Sequence, residues 1–202
     1  LLLYEVAGSK LLGATINSTW SGGAARNWSV AGNWNPLGVP SNGADLYNVH
    51  IPTPSAVTVD GTFAIETFDL DSGALANMPA GFLTLNTNSI LDGILRMGAD
   101  GNFATARLAL GAAVAVFGTG TIDLLANTSI EGPVSEVVIG SGITVQTGQW
   151  PNGGPTIMAN LTVAGRLNIN NPNFFVQAGR MLTAPAHCIS PRMRNSPHSA
   201  RW

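Results

Sequence analysis

The sequence predicts an all-β chain wound as a parallel β-helix, and three observations carry that expectation. Between residues 57 and 180 the apolar residues alternate in short runs, among them "VTVDG", "FLTLNT", "RLALG", "EVVIG", "ITVQTG", "LTVAG" and "RLNIN". Such runs of Val, Ile, Leu and Thr, stopped by Gly, Asn or Asp, have the period of two that places one set of side chains on each side of a strand. Glycine then leads into a strand at Gly73, Gly93, Gly120, Gly142 and Gly165, at intervals of 20, 27, 22 and 23 residues. A quasi-period of about 20–50 residues marks a solenoid, whose repeats cannot bury their apolar faces alone and must stack. Finally, charged residues are only 10% of the chain, against about 25% in ordinary soluble domains. Glycine (24) and asparagine (18) take over much of the polar role, as suits glycine corners and asparagine ladders between rungs. The rungs are expected to be about 20–27 residues long, with two or three short strands each. A β-sandwich, which also strings short strands between turns, is the alternative; the glycine-led repeat favours the helix.

The elements follow in order. Residues 1–18, "LLLYEVAGSKLLGATINS", are mildly apolar but carry Glu5 and Lys10. They read as a leader or the remnant of an export signal, with no run long enough to span a membrane. Residues 19–56 read as an N-terminal cap and first strand. Trp20, Trp28 and Trp34 stand just before the regular repeat, where a solenoid needs its open end and strand edges covered. Pro36, Pro40, Gly38 and Gly43 between them supply turn chemistry. Residues 57–180 are the rungs, and "NINNPN" at 168–173 suits a corner. Residues 181–202 hold three arginines, His187, His198, the sole cysteine Cys188 and no acid. Apolar alternation stops there, so a basic, disordered tail is expected.

The stretch from Trp20 to Asp45, "WSGG…NWSVAGNWNPLGVPSNGAD", resembles the start of large secreted and surface-anchored bacterial β-helix proteins, autotransporter passenger domains among them. The resemblance is sharp over about 35 residues of that cap and general over the rungs. It implies a right-handed parallel β-helix, export to the cell surface or beyond, and a structural or adhesive role. It brings no catalytic residues, because the matching motif is a capping one. Such proteins usually run on for many more rungs to an anchor or translocator, so the chain is expected to be part of a longer one.

Chemistry is sparse in the sequence. A formal charge of −2 offers no basic footprint for nucleic acid. One cysteine excludes an intramolecular disulfide. There is no G-x-S-x-G, H-E-x-x-H, C-x-x-C or phosphate loop, and His50, the only histidine before the tail, has no evident partner. The best acidic pair is Asp69 and Asp71 in "ETFDLDSG". On a strand these share a face about 7 Å apart and would suit calcium through hard oxygen ligands. Calcium beside a basic residue is the arrangement of pectate-lyase-like enzymes. Arg96, Arg107 and Arg166 are available, but the sequence places none of them beside the pair. Glu66, Asp92 or Asp123 would join it only if the rung register allowed.

Three readings of function follow. The first is an exported structural or adhesive surface protein without catalytic activity, needing no cofactor and meeting polysaccharide or a host or matrix surface. The second is a polysaccharide lyase or hydrolase using Asp69 and Asp71. The third is a non-catalytic carbohydrate-binding module presenting Trp28, Trp34 or Trp150 to sugar rings. The first is preferred.

Overall fold

The computed structural model describes residues 13–22, 26–99, 105–148 and 154–184. The chain is a β-solenoid. Each regular turn visits three faces in the same order, and every face is a ladder of parallel strands, one per turn.

The first face stacks Thr15–Trp20, Leu46–Ile51, Thr67–Leu70, Ser89–Leu91 and Ala115–Phe117. The second stacks Arg26–Asn27, Ala56–Thr58, Leu75–Met78, Ile94–Met97, Thr121–Leu124, Thr144–Thr147 and Arg166–Ile169 in one seven-stranded sheet. The third begins with Thr62–Ile65, Gly81–Leu85 and Ala106–Leu110. Higher in the coil the third and first faces are spliced by two long strands, Thr128–Ile139 and Thr156–Val163, which serve both. A register shift between Glu131 and Glu136 marks the bend. The splice merges the two faces into a single 13-stranded sheet.

Alternation decides what is inside. In Leu75–Met78, Ala76 and Met78 point inward; in Ile94–Met97, Leu95 and Met97 do. Parallel pairing then sets like above like, as in the inward column Val57, Ala76, Leu95, Ile122, Val145, Leu167. The buried apolar side chains form one continuous core along the axis, with each buried Val, Leu, Ile, Phe or Met contributing about 1.5–3 kcal/mol. Thr147 interrupts the neighbouring column of Met97, Leu124 and Ile169. Its buried hydroxyl accepts the backbone N–H groups of Asn170 and Asn171 at 2.8 and 3.1 Å, which shapes the "NINNPN" corner.

The repeating glycines act mainly through close approach. Gly73 has a positive φ of 83°, as a corner reading expects, but Gly93, Gly120, Gly142 and Gly165 are absent from the positive-φ positions. A methyl group on Gly120 would collide with the carbonyl oxygen of Gly93, and one on Gly165 with that of Ile143. The corner into the second face brings backbone onto backbone, and any side chain would hold successive turns apart.

Every strand pairing among the described residues is parallel except one, which sets the antiparallel sandwich aside. The exception is at the end of the coil, where Trp34–Asn35 lies antiparallel along Thr15–Trp20 and occupies its outer edge. There Trp20, Trp28 and Trp34 are buried to 2%, 0% and 1% exposure. Trp34 meets Trp20 and Trp28 edge to face, with centroids 5.0 and 4.7 Å apart, and Trp28 stacks on Phe63 at 5.4 Å. The indole N–H of Trp28 is donated to the carbonyl of Pro40, and that of Trp34 to the carbonyl of Trp28. Both polar handles are therefore satisfied inside the cap.

Two expected boundaries move. The stacking of strands begins at Thr15, within the expected leader, rather than with the rungs at residue 57, because Thr15–Trp20 is the first strand of the first face. It also passes residue 180, since Leu182–Thr183 adds to Thr156–Val163. The rest of the expected leader and tail, residues 1–12 and 185–202, lies outside the described residues.

Candidate functional site

The outward side of the first face, near the aromatic end, gathers His50, Asp69 and Asp71. His50 sits between the inward Val49 and Ile51, and Asp69 between the inward Phe68 and Leu70, so alternation turns both outward. The ladder places His50 directly beside Asp69. Asp71 follows the strand at the corner, where its N–H is donated to the carbonyl of Ile51 and its own carbonyl accepts the N–H of Ala74. Its carboxylate Oδ1 lies 3.1 Å from Nε2 of His50, with each side chain 39% exposed. Its Oδ2 accepts the backbone N–H of Thr53 at 3.3 Å. One donor atom from each of His50, Asp69 and Asp71 falls within 4.8 Å of the others, the only such grouping of three among the described residues.

The electrostatics centre on Asp69. Its carboxyl is held above the ordinary carboxylate range, first by desolvation and then by the charges of Asp71 and Asp92, while His50 acts in the opposite sense. Asp92 is the counterpart of Asp71 one turn on, because Leu70 pairs with Leu91. Its Oδ1 is taken by the backbone N–H and hydroxyl of Thr119 at 2.8 and 2.9 Å.

The other candidates are scattered. Asp123 lies on the second face, where the guanidinium of Arg96 reaches it at 3.2 Å. Arg107, on the third face, meets Glu131 at 3.5 Å. Arg166 stands exposed on the second face beside Thr144. Glu66 accepts hydrogen bonds from the side-chain amides of Asn42 and Asn86. No arginine joins the pair of aspartates by any of these bonds, and Asp92 is the acid that the register does bring alongside. For sugar stacking, Trp28 and Trp34 are withdrawn: both rings are enclosed in the cap, so neither offers a face to a pyranose. Trp150 lies outside the described residues.

Sequence reasoning missed the role of His50, which it left without a partner. The signal was present in the spacing: His50 and Asp69 are 19 residues apart, the same step that separates the paired residues Leu75 and Ile94. Polar residues one turn apart become neighbours in a solenoid whatever their distance in sequence.

Comparison with family models, with curated proteins and with solved structures finds no match for this chain.

Proposed function

We propose that the protein is an exported structural or adhesive bacterial surface protein, a stiff coil that displays its outer faces to polysaccharide or to a host or matrix surface, without catalysis of its own. The observation that carries this reading is how the outward polar side chains are used. Asp60 accepts the N–H and hydroxyl of Ser29, Asn48 donates to Asn17, Asp92 holds Thr119, Arg96 meets Asp123 and Thr162 donates to Glu136. Each bond joins one turn to the next and stiffens the coil. Such bonds, spread along the first and second faces and their corners, serve rigidity better than acid–base chemistry, which needs groups converging on one substrate atom.

One observation favours the lyase reading instead. His50 beside two carboxylates is an acid–base set that the sequence alone did not assemble. Incubation of the full chain with acidic and neutral polysaccharides, with and without calcium, separates the two. Retention on a polysaccharide or matrix surface with no product formed is the expected result. Turnover that Asp69→Ala or Asp71→Ala abolishes while circular dichroism stays unchanged would establish the enzyme and end the structural reading.

A further inference from the structure

We propose that His50, Asp69 and Asp71 form a binding site for a divalent transition-metal ion, with zinc the representative, clasped between two consecutive turns of the first face. This inference stands apart from the proposed surface role.

The geometry begins with the pair at 3.1 Å. Two ligands each about 2.0–2.2 Å from a zinc ion lie roughly 3–3.5 Å apart across one edge of its coordination shell, so Nε2 of His50 and Oδ1 of Asp71 are already at ligand spacing. The third donor, a carboxylate oxygen of Asp69, is within 4.8 Å of both, and rotation of a partly exposed side chain closes the remaining gap.

The supporting structure orients the set. Strand pairing fixes His50 against Asp69. The Thr53 N–H engages Oδ2 of Asp71, leaving Oδ1 turned to the histidine, in the manner of the outer-shell contacts that aim metal ligands. Asp69, by contrast, accepts no hydrogen bond from the described residues, although it stands directly beside His50 on the ladder. A hydrogen bond between His50 and Asp71 satisfies those two groups and leaves Asp69 without a donor among the described residues. A divalent cation satisfies all three.

The donor set also selects the ion. Calcium takes about 6–8 oxygen ligands, and this site offers two carboxylates and an imidazole. Imidazole with carboxylate suits zinc, cobalt or nickel. Three protein ligands leave a position open to solvent.

The test uses the full chain stripped with chelator and then titrated with Zn²⁺ by calorimetry and with Co²⁺ by visible absorption. The tail residues His187, Cys188 and His198 are common to all forms, so the readout is the difference between wild type and His50→Gln, Asp69→Asn and Asp71→Asn. The expected result is one more zinc equivalent in the wild type than in His50→Gln, and affinity at that equivalent weaker by about tenfold or more in each aspartate variant. The cobalt d–d bands should change with each substitution. Zinc should raise the melting midpoint of the wild type more than that of the variants, and excess Ca²⁺ should not displace it. Equal zinc stoichiometry and affinity in wild type and Asp69→Asn, the variant that removes no acceptor of a hydrogen bond from the described residues, would overturn the proposal. So would displacement of zinc by calcium.

Discussion

At the aromatic end of the coil, Trp28 donates its indole N–H to Pro40 and accepts that of Trp34, with almost no surface of either ring left to solvent. A short way along the first face, His50 and Asp71 meet with 39% of each side chain exposed, and Asp69 beside them accepts no hydrogen bond from the described residues. The cap spends the indole N–H groups of Trp28 and Trp34 on itself and closes the fold. The face leaves charge unspent, and nothing in the core depends on it. The difference teaches where to look for function on this molecule: large, satisfied aromatics mark architecture, and small, unsatisfied carboxylates mark a place where something else can bind.

The strongest way to break this comparison is at the cap. Trp34→Ala removes an indole packed between two others and orphans the Trp28 carbonyl, so it should cost about 3–5 kcal/mol, read as a fall in the chemical-denaturation midpoint. A change within error would mean that the ring carries no structural load. Next in size is Gly120→Ala, which drives a methyl into the carbonyl of Gly93. It should cost about 1–3 kcal/mol, as overpacking does, and the same substitution at the open Gly43, where an added Cβ meets nothing, should cost much less.

The rungs as a class were legible before the structure, because alternation and glycine spacing are both local and periodic. The capping role of Trp20, Trp28 and Trp34 was legible for the same reason: three large aromatics bordering a repeat have few other places to go. The candidate site was legible only by half. Asp69 and Asp71 stand two apart in sequence, one on the strand and one at the corner after it, and show themselves, but His50 joins them through the winding of the coil, which converts a separation of 19 residues into a lateral contact. The splice through Thr128–Ile139 was harder to see, since its bend, with Gly132 and Pro133 between Glu131 and Glu136, is a register shift inside one continuous strand.

Smaller effects sharpen the contrast on the outward side. Asp92→Ala removes the acceptor for both the N–H and the hydroxyl of Thr119 and should cost about 0.5–1.5 kcal/mol, seen as a lower melting midpoint. Asp69→Asn should act in the other direction. Because the folded state raises the carboxyl pKa above 3.8, ionised Asp69 opposes folding. That penalty is fully present above the folded pKa and vanishes below the unfolded value. In chelator at neutral pH the variant should therefore melt slightly higher than the wild type, with the gain shrinking as pH falls toward 3.8. A lower midpoint at neutral pH would mean that the carboxylate is engaged in holding the coil together.

The column of close-packed glycines has one more consequence. Residues 75, 94, 121, 144 and 166 stand one above another on the second face, although the turns between them take 19, 27, 23 and 22 residues. Each passage through the glycine corner returns the chain to the same azimuth, so a longer turn leaves the phase of the next unchanged. Winding errors do not accumulate. Such a coil can vary the length of its excursions, and with them the surface it shows, while its interior keeps a constant pitch.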